Sequence, residues 1–439
     1  MIDNIKLNKE LILSPQEMQT LGYKVVDLLI EHIANVHEKP VTQVAKRATL
    51  ETRLALPFPE LGRNSDDVLR TLQEDIFCNM MHLDHPRCFG SISSPSNFIS
   101  VMADTLAAGF NVFAGTWLEA SGPAQIELTT IDWLRQICGM PTTAGGLFVS
   151  GGSVANLTAL AVAKKQRSHK QTNSVVYTSK QAHASIERAM QMLGFSKDQL
   201  VKIPTDEGFR LSMEALKDTV AHDRRQNKHP FCVVATAGTT NTGAVDPLGE
   251  LAKYCQHEQL WLHVDGAYGA PAILTTKGCD LLDGLGEADS LTIDPHKWLF
   301  QPYEASCILL KDVTLLKDAF HILPDYLKDA QGEEDEINFY DYGIQLSRSF
   351  KALKLWMSLQ VFGIENFRAA INNGMEMAEL AAKVVVALPG WELVTQPQLG
   401  MVNFRYLTNY QTPQPVTLFN ERLVTETIKD GFAMVSSTV

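Results

Sequence analysis

Two apolar runs and the segment between them decide the fold of this chain: "LWLHVDGAYGAPAILTTKGCDLLDGLGEADSLTIDPHKW", residues 260–298. The runs at 260–265 and 290–294 have the length and composition of buried β-strands, and the residues before the second run have a helical pattern. A strand, a helix and a second strand predict parallel neighbours in one sheet. Asp265 and Lys297 are then expected just past the carboxyl ends of consecutive strands, where sheets of this kind bind ligands.

The same alternation continues on both sides of this stretch. Five further short apolar runs predict strands at 145–150, 174–179, 200–204, 231–238 and 306–310. Helical patterns occur between them at 153–166, 184–193 and 247–259. Strands that alternate with helices favour an α/β fold with a mainly parallel central sheet that helices cover on both faces.

The first segment of the chain is expected to be helical. Ser14, Pro15 and Glu17 form a capping box with proline at the first helical position, and apolar residues then recur at helical spacing as far as Pro40. A second helical stretch is expected at about 65–82. The apolar stripe of the first helix needs a partner, either the main domain or a second subunit, and it therefore predicts a homodimer.

The C-terminal part has a different pattern. The acidic segment 328–339 predicts a mobile surface loop, because its acids repel one another and it buries almost nothing. Helical patterns at 347–363 and 375–388 and the strand-like runs "WELVTQ" and "GMVNFRYL" follow, which predict a small α+β domain. The sequence thus predicts an N-terminal helical segment, a large α/β domain and a small C-terminal domain, at 1–82, 83–345 and 346–439.

Composition excludes several classes of function. Of the 439 residues, 45% are hydrophobic and 20% are charged, as in a globular protein with a large interior. A formal net charge of −12 argues against nucleic acid or an anionic membrane as a partner. No apolar stretch has the length of a membrane span and no signal peptide is recognisable, so a cytoplasmic enzyme is expected. The seven scattered cysteines predict neither a disulfide framework nor a metal site.

The aspartate, the lysine and a glycine turn together indicate pyridoxal phosphate chemistry. A lysine amine can hold the cofactor aldehyde as a Schiff base, and an aspartate can keep the pyridine nitrogen protonated. In "FVSGGSVANLTAL" (148–160) a strand passes through Gly151, Gly152 and Ser153 into a helix. The N–H groups and the dipole at that helix end can bind the phosphate.

Each of these features has a simpler explanation when it is taken alone. A strand-ending Asp265 can be solvated or cap a turn, and Lys297 can close a strand in solvent. The glycine turn could hold a nucleotide, although neither G-x-x-x-x-G-K-[ST] nor G-x-G-x-x-G occurs in the chain. His183 is either a helix-start histidine bonded to backbone or a group that stacks on the cofactor ring and reaches the substrate carboxylate. His296 is expected to contact the phosphate or to fix the position of the lysine.

Four motifs give the combination its specificity. They are "QAHASIERA" (181–189), "VVATAGTTNTGAVDPL" (233–248), "HVDGAYGA" (263–270) and "DPHKW" (294–298). Together they resemble the group II pyridoxal phosphate-dependent amino acid decarboxylases, most like the aromatic-L-amino-acid decarboxylase branch, and the match extends from about residue 15 to the end of the chain. The resemblance implies the type I fold of pyridoxal phosphate-dependent transferases, with pyridoxal 5'-phosphate as the cofactor.

The resemblance also implies a role for each matching position. Lys297 corresponds to the Schiff-base lysine, Asp265 to the partner of the ring nitrogen, and His183 to the ring-stacking histidine. Ser94 falls at a substrate-facing position, and Tyr326 matches the loop tyrosine that protonates the carbon after carbon dioxide leaves. Further cofactor contacts are implied at Gly152, Ser153, Thr240, Asp294 and His296.

The implied reaction is decarboxylation of an L-amino acid, taken to be aromatic, to the amine and carbon dioxide. The chain departs from the aromatic enzymes around 110–124, where it is longer and has Gly115 in place of a large pocket side chain, and its C-terminal domain is expected to be shortened. Decarboxylation of another amino acid, such as 2,4-diaminobutyrate or glutamate, and oxidative aldehyde synthesis therefore stay open. The remaining alternatives are another pyridoxal phosphate enzyme, such as an aminotransferase or lyase, and a non-catalytic family member.

Overall fold

The computed structural model describes residues 11–92, 94–168, 173–322, 336–407 and 413–438. The chain forms two compact units. One unit contains the residues up to Ser91 together with Thr417–Ser437, and the other contains Ile92–Val416 with the last two residues.

A seven-stranded sheet forms the centre of the larger unit. Its strands are β1 (Gly145–Val149), β2 (Ser174–Ser179), β3 (Leu200–Ile203), β4 (His229–Thr236), β5 (Trp261–Asp265), β6 (Ser290–Ile293) and β7 (Ser306–Leu310). Their order in the sheet is β1-β7-β6-β5-β4-β2-β3. Strands β3, β2, β4, β5 and β6 run parallel, whereas β7 pairs antiparallel with both β6 and β1. The predicted mainly parallel sheet is confirmed.

The composition of the strands follows from their burial. Every residue of β2, β5, β6 and β7 is buried, so these strands are continuous apolar runs rather than alternating ones. Polar residues that occur within them, such as His263 and Ser290, are bonded to other side chains. These buried polar residues adjoin the site described below.

Helices pack against this sheet. In the larger unit they are α4 (Phe98–Gly109), α5 (Trp117–Ile137), α6 (Gly152–Arg167), α7 (Ala184–Met192), α8 (Met213–Arg225), α9 (Leu248–Glu258), α10 (Thr276–Leu281), α11 (Thr314–Phe320) and α12 (Ala352–Ala387). Helix α6 packs on five of the strands, β1 and β4 to β7. Neither α4 nor α5 was predicted from the sequence; in α5 the backbone leaves helical geometry at Ala120 and the helix continues through Pro123.

The smaller unit contains α1 (Pro15–Asn35), α2 (Arg47–Leu54), α3 (Ser65–Thr71) and most of α13 (Pro413–Asp430). The predicted capping box is confirmed: the Glu17 N–H donates to Ser14 Oγ at 3.3 Å, and the Ser14 N–H donates to Glu17 Oε2 at 2.7 Å. No residue of α1 is buried. The helix predicted at 65–82 is α3 followed by a π-helical turn, Leu72–Phe77.

The end of the larger unit differs from the prediction. The two helices predicted there are both parts of α12, which Gly363 interrupts with a φ of 71°. Its second part begins directly after this glycine, because Phe367, Ile371 and Met375 are buried at helical spacing despite the turn-like "INNG". Strands β8 (Trp391–Thr395) and β9 (Asn403–Tyr406) pair antiparallel, as expected.

The grouping of residues also differs from the three predicted segments, 1–82, 83–345 and 346–439. Helix α12 belongs to the unit of the sheet because it packs on α4 and α5, whereas most of α13 belongs to the N-terminal unit. The three segments as separate domains remain a prediction. Within the described part of the chain, none of the helices has both the length and the apolar character that crossing a membrane requires.

Candidate active site

The carboxyl ends of three neighbouring parallel strands form the floor of the site. Thr236 at the end of β4 is in register with Asp265 of β5, and Asp265 is in register with Thr292 of β6. All three are buried. Lys297 follows five residues after Thr292, so the structure brings Asp265 and the segment containing Lys297 to the same edge of the sheet.

Lys297 is held by a buried carboxylate. Its Nζ lies 3.0 Å from Oδ2 of Asp294, whose side chain is 2% exposed, against 24% for that of Lys297. The Ser306 hydroxyl donates to the other carboxylate oxygen, Oδ1. Asp294 also lies against Gly152, where a Cβ would be 2.8 Å from Oδ2. Asp294 therefore connects the lysine to the start of α6, and glycine at position 152 leaves room for it.

His296 faces the same carboxylate. The Ala305 N–H donates to its Nδ1 at 3.2 Å, which leaves the proton of the neutral ring on Nε2, 3.6 Å from Asp294 Oδ2. Burial lowers the pKa of His296. The ring also packs on Tyr303, with 4.7 Å between the ring centroids. Of the two roles predicted for His296, these contacts favour fixing the lysine segment.

The N-terminus of α6 is an anion-binding arrangement. Gly151 is its N-cap and makes no side-chain cap hydrogen bond. The first intrahelical bonds run from Val154 and Ala155 to the Gly151 carbonyl, at 2.9 and 3.1 Å. The N–H groups of Gly152 and Ser153 precede these bonds and point out of the helix end, and Ser153 is exposed. A phosphate is the group that such an end binds best.

Both oxygens of Asp265 are oriented by donors. The Asn156 side-chain amide donates to Oδ2 at 2.9 Å, and the Ala267 N–H donates to Oδ1 at 3.2 Å. Asn156 was not predicted from the sequence. Its position four residues after Gly152 in "GGSVAN" places it one helical turn below the proposed phosphate site.

His183 is the N-cap of α7. The N–H and the hydroxyl of Ser185 lie 3.3 and 2.8 Å from its Nδ1. The simple explanation, a helix-start histidine bonded to backbone, is therefore correct for Nδ1. The imidazole itself is exposed, and its second nitrogen is available to a ligand.

Two predicted site residues, Thr240 and Ser94, have weaker connections to this group or none within the described part of the chain, and a third lies outside it. Thr240 lies in the turn after β4 and is exposed, and no hydrogen bond among the described residues joins it to Lys297. Ser94 is partly buried in a segment whose Asn97 donates its backbone N–H and its side-chain amide to the Phe300 carbonyl, at 3.1 and 2.9 Å. Tyr326 lies outside the described residues.

The residues present fit pyridoxal phosphate. The site offers an amine, a buried carboxylate with fixed oxygens and the free N–H groups of a helix end. In addition, the buried hydroxyl of Thr236, beside Asp265, has no hydrogen-bond partner among the described residues. A buried polar atom without a partner is costly, and a bound polar ligand would satisfy it.

The structure gives Gly115 a packing role. A Cβ at this position would lie 2.5 Å from the Phe113 ring and 3.1 Å from the Leu346 carbonyl oxygen. The neighbouring carbonyl of Ala114 accepts a hydrogen bond from Arg348, which also pairs with buried Glu127. The space beside Gly115 is therefore filled by Phe113, and a larger residue at 115 would require this segment to move.

A separate group of possible metal ligands lies in the N-terminal unit. His32, His82 and Asp84 place ligand atoms within 4.8 Å of one another. However, His32 Nε2 lies 2.9 Å from Asp84 Oδ2, and the Lys39 ammonium lies 3.4 Å from His32 Nδ1. These are the contacts of a hydrogen-bonded cluster that includes a competing cation, and we assign no metal to it.

Comparison with known proteins agrees with this geometry. Residues 49–407 match the family described as the pyridoxal-dependent decarboxylase conserved domain. The chain is similar to an aromatic-L-amino-acid decarboxylase of Bacillus atrophaeus, 46% identical over 98% of this chain and 91% of that protein. It is also similar to a phenylacetaldehyde synthase of Petunia hybrida, 28% identical over 100% and 92% of the two chains.

A solved structure shows the same fold. The crystal structure of Oryza sativa TDC with PLP and tryptamine superimposes with a TM-score of 0.92 at 26% identity, over 97% of this chain and 92% of that one. The similarity thus extends over the sheet, the strand ends and both terminal segments. On the family match and the 46% identity, the chain belongs to the pyridoxal-dependent decarboxylases and is a pyridoxal phosphate-dependent carboxy-lyase.

Proposed function

We propose that the enzyme decarboxylates an aromatic L-amino acid to the corresponding amine and carbon dioxide. The observation that supports this substrate class is the 46% identity, over nearly the whole chain, with an aromatic-L-amino-acid decarboxylase. The structural similarity to a TDC bound to PLP and tryptamine agrees with it. Because Phe113 fills the space beside Gly115, the departure at Gly115 does not by itself enlarge a pocket.

Bound pyridoxal phosphate supplies an electron-poor ring that accepts the electrons of the broken bond. We assign Lys297 as the residue that holds this cofactor covalently and Asp265 as the residue that keeps its ring nitrogen protonated. Support comes from the amine of Lys297 and the carboxylate of Asp265 at one edge of the sheet. Gly152 and Ser153 bind the phosphate, supported by the N–H groups at the start of α6.

Other residues orient these groups or face the substrate. Asp294, with His296 behind it, holds the lysine amine when it is not bonded to the cofactor. His183 stacks on the ring and presents its Nε2 proton to the substrate carboxylate, since its Nδ1 already accepts hydrogen bonds from Ser185. Thr240 as a cofactor contact and Ser94 as a substrate contact rest on the motif resemblance. The role of Tyr326 as proton donor to the substrate carbon rests on the same ground.

We also propose that the enzyme works as a homodimer. In α1, five large apolar side chains are each at least 39% exposed: Met18, Tyr23, Val25, Ile30 and Ile33. A monomer that leaves this much apolar surface in water is prone to association, and a second copy of the same helix is the simplest cover. Sedimentation at micromolar concentration tests this: an active monomer would contradict it. The cytoplasmic location and the lack of nucleic-acid partners stay predictions from the sequence.

A substrate panel tests the proposed activity. L-tryptophan, L-tyrosine, L-phenylalanine and L-dihydroxyphenylalanine are compared with L-glutamate and L-2,4-diaminobutyrate, with carbon dioxide, amine and oxygen uptake measured together. We expect carbon dioxide and amine in equal amounts from aromatic substrates only, and none from the Lys297→Ala variant. Preference for an acidic or diamino substrate would refute the substrate class. Oxygen uptake with aldehyde in place of amine would assign an aldehyde synthase instead.

A further inference from the structure

The carboxamide of Asn156 is fully hydrogen-bonded inside the protein. Its side chain is buried, and its Nδ2 donates to Asp265 Oδ2 and to Ser185 Oγ, both at 2.9 Å. Its Oδ1 accepts from Thr292 Oγ1 at 2.7 Å and from His263 Nε2 at 3.0 Å. Both amide hydrogens and both carbonyl lone pairs are therefore used.

The direction of these bonds is determined by a chain of donors behind Asn156. The Trp261 indole N–H can only donate, and it donates to Ser290 Oγ at 2.9 Å. The Ser290 hydroxyl is then free to donate to His263 Nδ1, also at 2.9 Å. Burial lowers the pKa of His263 to about 4, so the ring is neutral at physiological pH. With Nδ1 as the acceptor, its single proton lies on Nε2 and faces the Asn156 oxygen.

A reversed amide would be unfavourable at two contacts. The Asn156 NH2 group would face the Nε2 proton of His263, and the Asn156 oxygen would face the Asp265 carboxylate. The observed orientation is thus the one that these neighbours allow.

The second amide hydrogen of Asn156 reinforces the tautomer of His183 that the Ser185 N–H favours. Because the Ser185 oxygen accepts from Asn156, its own hydrogen is available for His183 Nδ1, 2.8 Å away. The Ser185 N–H supports the same nitrogen at 3.3 Å. The neutral His183 ring therefore carries its proton on Nε2, away from α7.

We propose that Asn156 is a positioning residue that sets the orientation of the Asp265 carboxylate and the tautomer of His183 together. The proposal rests on the cofactor and substrate roles proposed above for those two residues. It explains why one polar side chain occurs one turn inside α6, at a position that otherwise contacts only buried groups. Cofactor binding and substrate orientation then both depend on Asn156, although this residue contacts neither the cofactor nor the substrate directly.

The first test compares Asn156→Leu with Thr158→Val. Leucine has the same branching at Cγ as asparagine but is larger and makes none of its four hydrogen bonds. Thr158 is a matched control, because it is equally buried in α6 and, among the described residues, its hydroxyl bonds only to the Val154 carbonyl, at 2.8 Å. The measurements are the circular dichroism spectrum, the dissociation constant of pyridoxal phosphate from the visible band near 420 nm, and kcat and KM at saturating cofactor.

We expect Asn156→Leu to weaken cofactor binding at least about tenfold and to lower kcat at saturating cofactor at least about tenfold, with a native dichroism spectrum. Thr158→Val should stay within about twofold of wild type in both. Equal cofactor affinities in the two variants would overturn the proposal. A wild-type protein without a visible band or carbon dioxide release would instead refute the proposed function, so the two failures are distinguishable.

The second test uses the isosteric Asn156→Asp variant and measures the pH dependence of cofactor binding, which a purely structural role of Asn156 would not change. The new carboxyl group would lie about 2.9 Å from the Asp265 carboxylate and share one proton with it at low pH, which preserves the hydrogen bond. At higher pH both groups ionise and repel each other. The ratio of the variant's dissociation constant for pyridoxal phosphate to that of wild type should rise at least about tenfold from the lowest pH at which both proteins stay folded to pH 8. A ratio that does not change with pH would overturn the proposal.

Discussion

The ion pair between Lys297 and Asp294 predicts that the lysine proposed to hold the cofactor also stabilises the fold. At 3.0 Å and an effective dielectric constant of about 20, two unit charges attract by about 5 to 6 kcal/mol. Solvent reduces this value, because the Lys297 side chain is 24% exposed, while Asp294 is 2% exposed and bears the larger cost of losing its partner. Lys297→Met should therefore lower the free energy of unfolding of the cofactor-free protein by about 2 to 3 kcal/mol, somewhat less than is typical of fully buried pairs.

A double-mutant cycle separates this effect from catalysis. Asp294→Asn alone should cost less, about 1 kcal/mol, because the remaining Lys297 can reach solvent. The combined Lys297→Met, Asp294→Asn variant should be more stable than the sum of the two losses predicts, by at least about 1 kcal/mol. Neither variant that lacks the lysine should show turnover, so stability is recovered without activity.

Tryptophan fluorescence during urea unfolding is a suitable assay. All six tryptophans lie in the unit Ile92–Val416, so the signal reports the unit that contains the site. Trp298 directly follows the lysine and stacks on Tyr268, with 4.9 Å between ring centroids. A coupling energy below about 0.5 kcal/mol would refute the electrostatic reasoning, and turnover by Lys297→Met would refute the assignment of the lysine.

Three further predictions concern the groups around the proposed cofactor. Asp265→Ala should weaken cofactor binding and reduce kcat by more than about tenfold in steady-state assays, since an unprotonated pyridine is a poor electron acceptor; a smaller loss, below about 1.4 kcal/mol, would contradict its role. Burial keeps His263 neutral in the folded state, with its pKa lowered from 6.5 to about 4, so its contribution to stability is complete above pH 6.5 and is lost as the pH falls towards 4. Between pH 7 and pH 4 the free energy of unfolding should therefore fall by up to about 3 kcal/mol less in the His263→Gln variant than in wild type. Equal falls in the two proteins would argue against this. Tyr326→Phe should still release carbon dioxide but form aldehyde with oxygen uptake, and an unchanged amine yield would exclude the tyrosine as proton donor.

The positions of the strands could be predicted because burial determines their composition. The runs predicted at 174–179 and 306–310 coincide with β2 and β7, since a strand with neighbours on both faces is buried at every residue and therefore mostly apolar. The antiparallel direction of β7 could not be predicted. Its sequence, "SCILL", is that of any buried strand, and direction depends on the path of the chain rather than on local composition.

The irregular helices were harder to predict than the strands. Local rules assign a turn to Gly122 and Pro123 in α5 and to "INNG" in α12, but packing outweighs these preferences. Ile131 and Leu134 of α5, for example, are each at least 97% buried. Residues that belong to one buried face stay helical when the gain from burial exceeds the cost of a poor helix former.

The residues of the candidate site likewise divide into those that the sequence predicts and those that it does not. Lys297, Asp265 and His183 could be identified because each follows a recognisable strand, and strand ends of a parallel sheet lie together. Asn156 and His263 could not be identified from the sequence, because a polar residue inside a buried helix or strand has no pattern of its own. Its partners, such as Ser290, are more than 25 residues away in the chain. Hydrogen bonds of this kind become visible only when the sheet brings distant residues together.

Helix α6 explains why the site depends on one short motif. In "GGSVAN" the two glycines expose the N–H groups at the helix end, and Gly152 leaves room for the Asp294 carboxylate that holds Lys297. One turn later, Asn156 reaches the Asp265 carboxylate from the same helix. The spacing of about 5.4 Å per turn therefore sets the separation between the proposed phosphate site and the group proposed to face the ring nitrogen. A one-residue insertion between Gly152 and Asn156 would rotate the amide by about 100°, so cofactor binding should be lost even if α6 still forms.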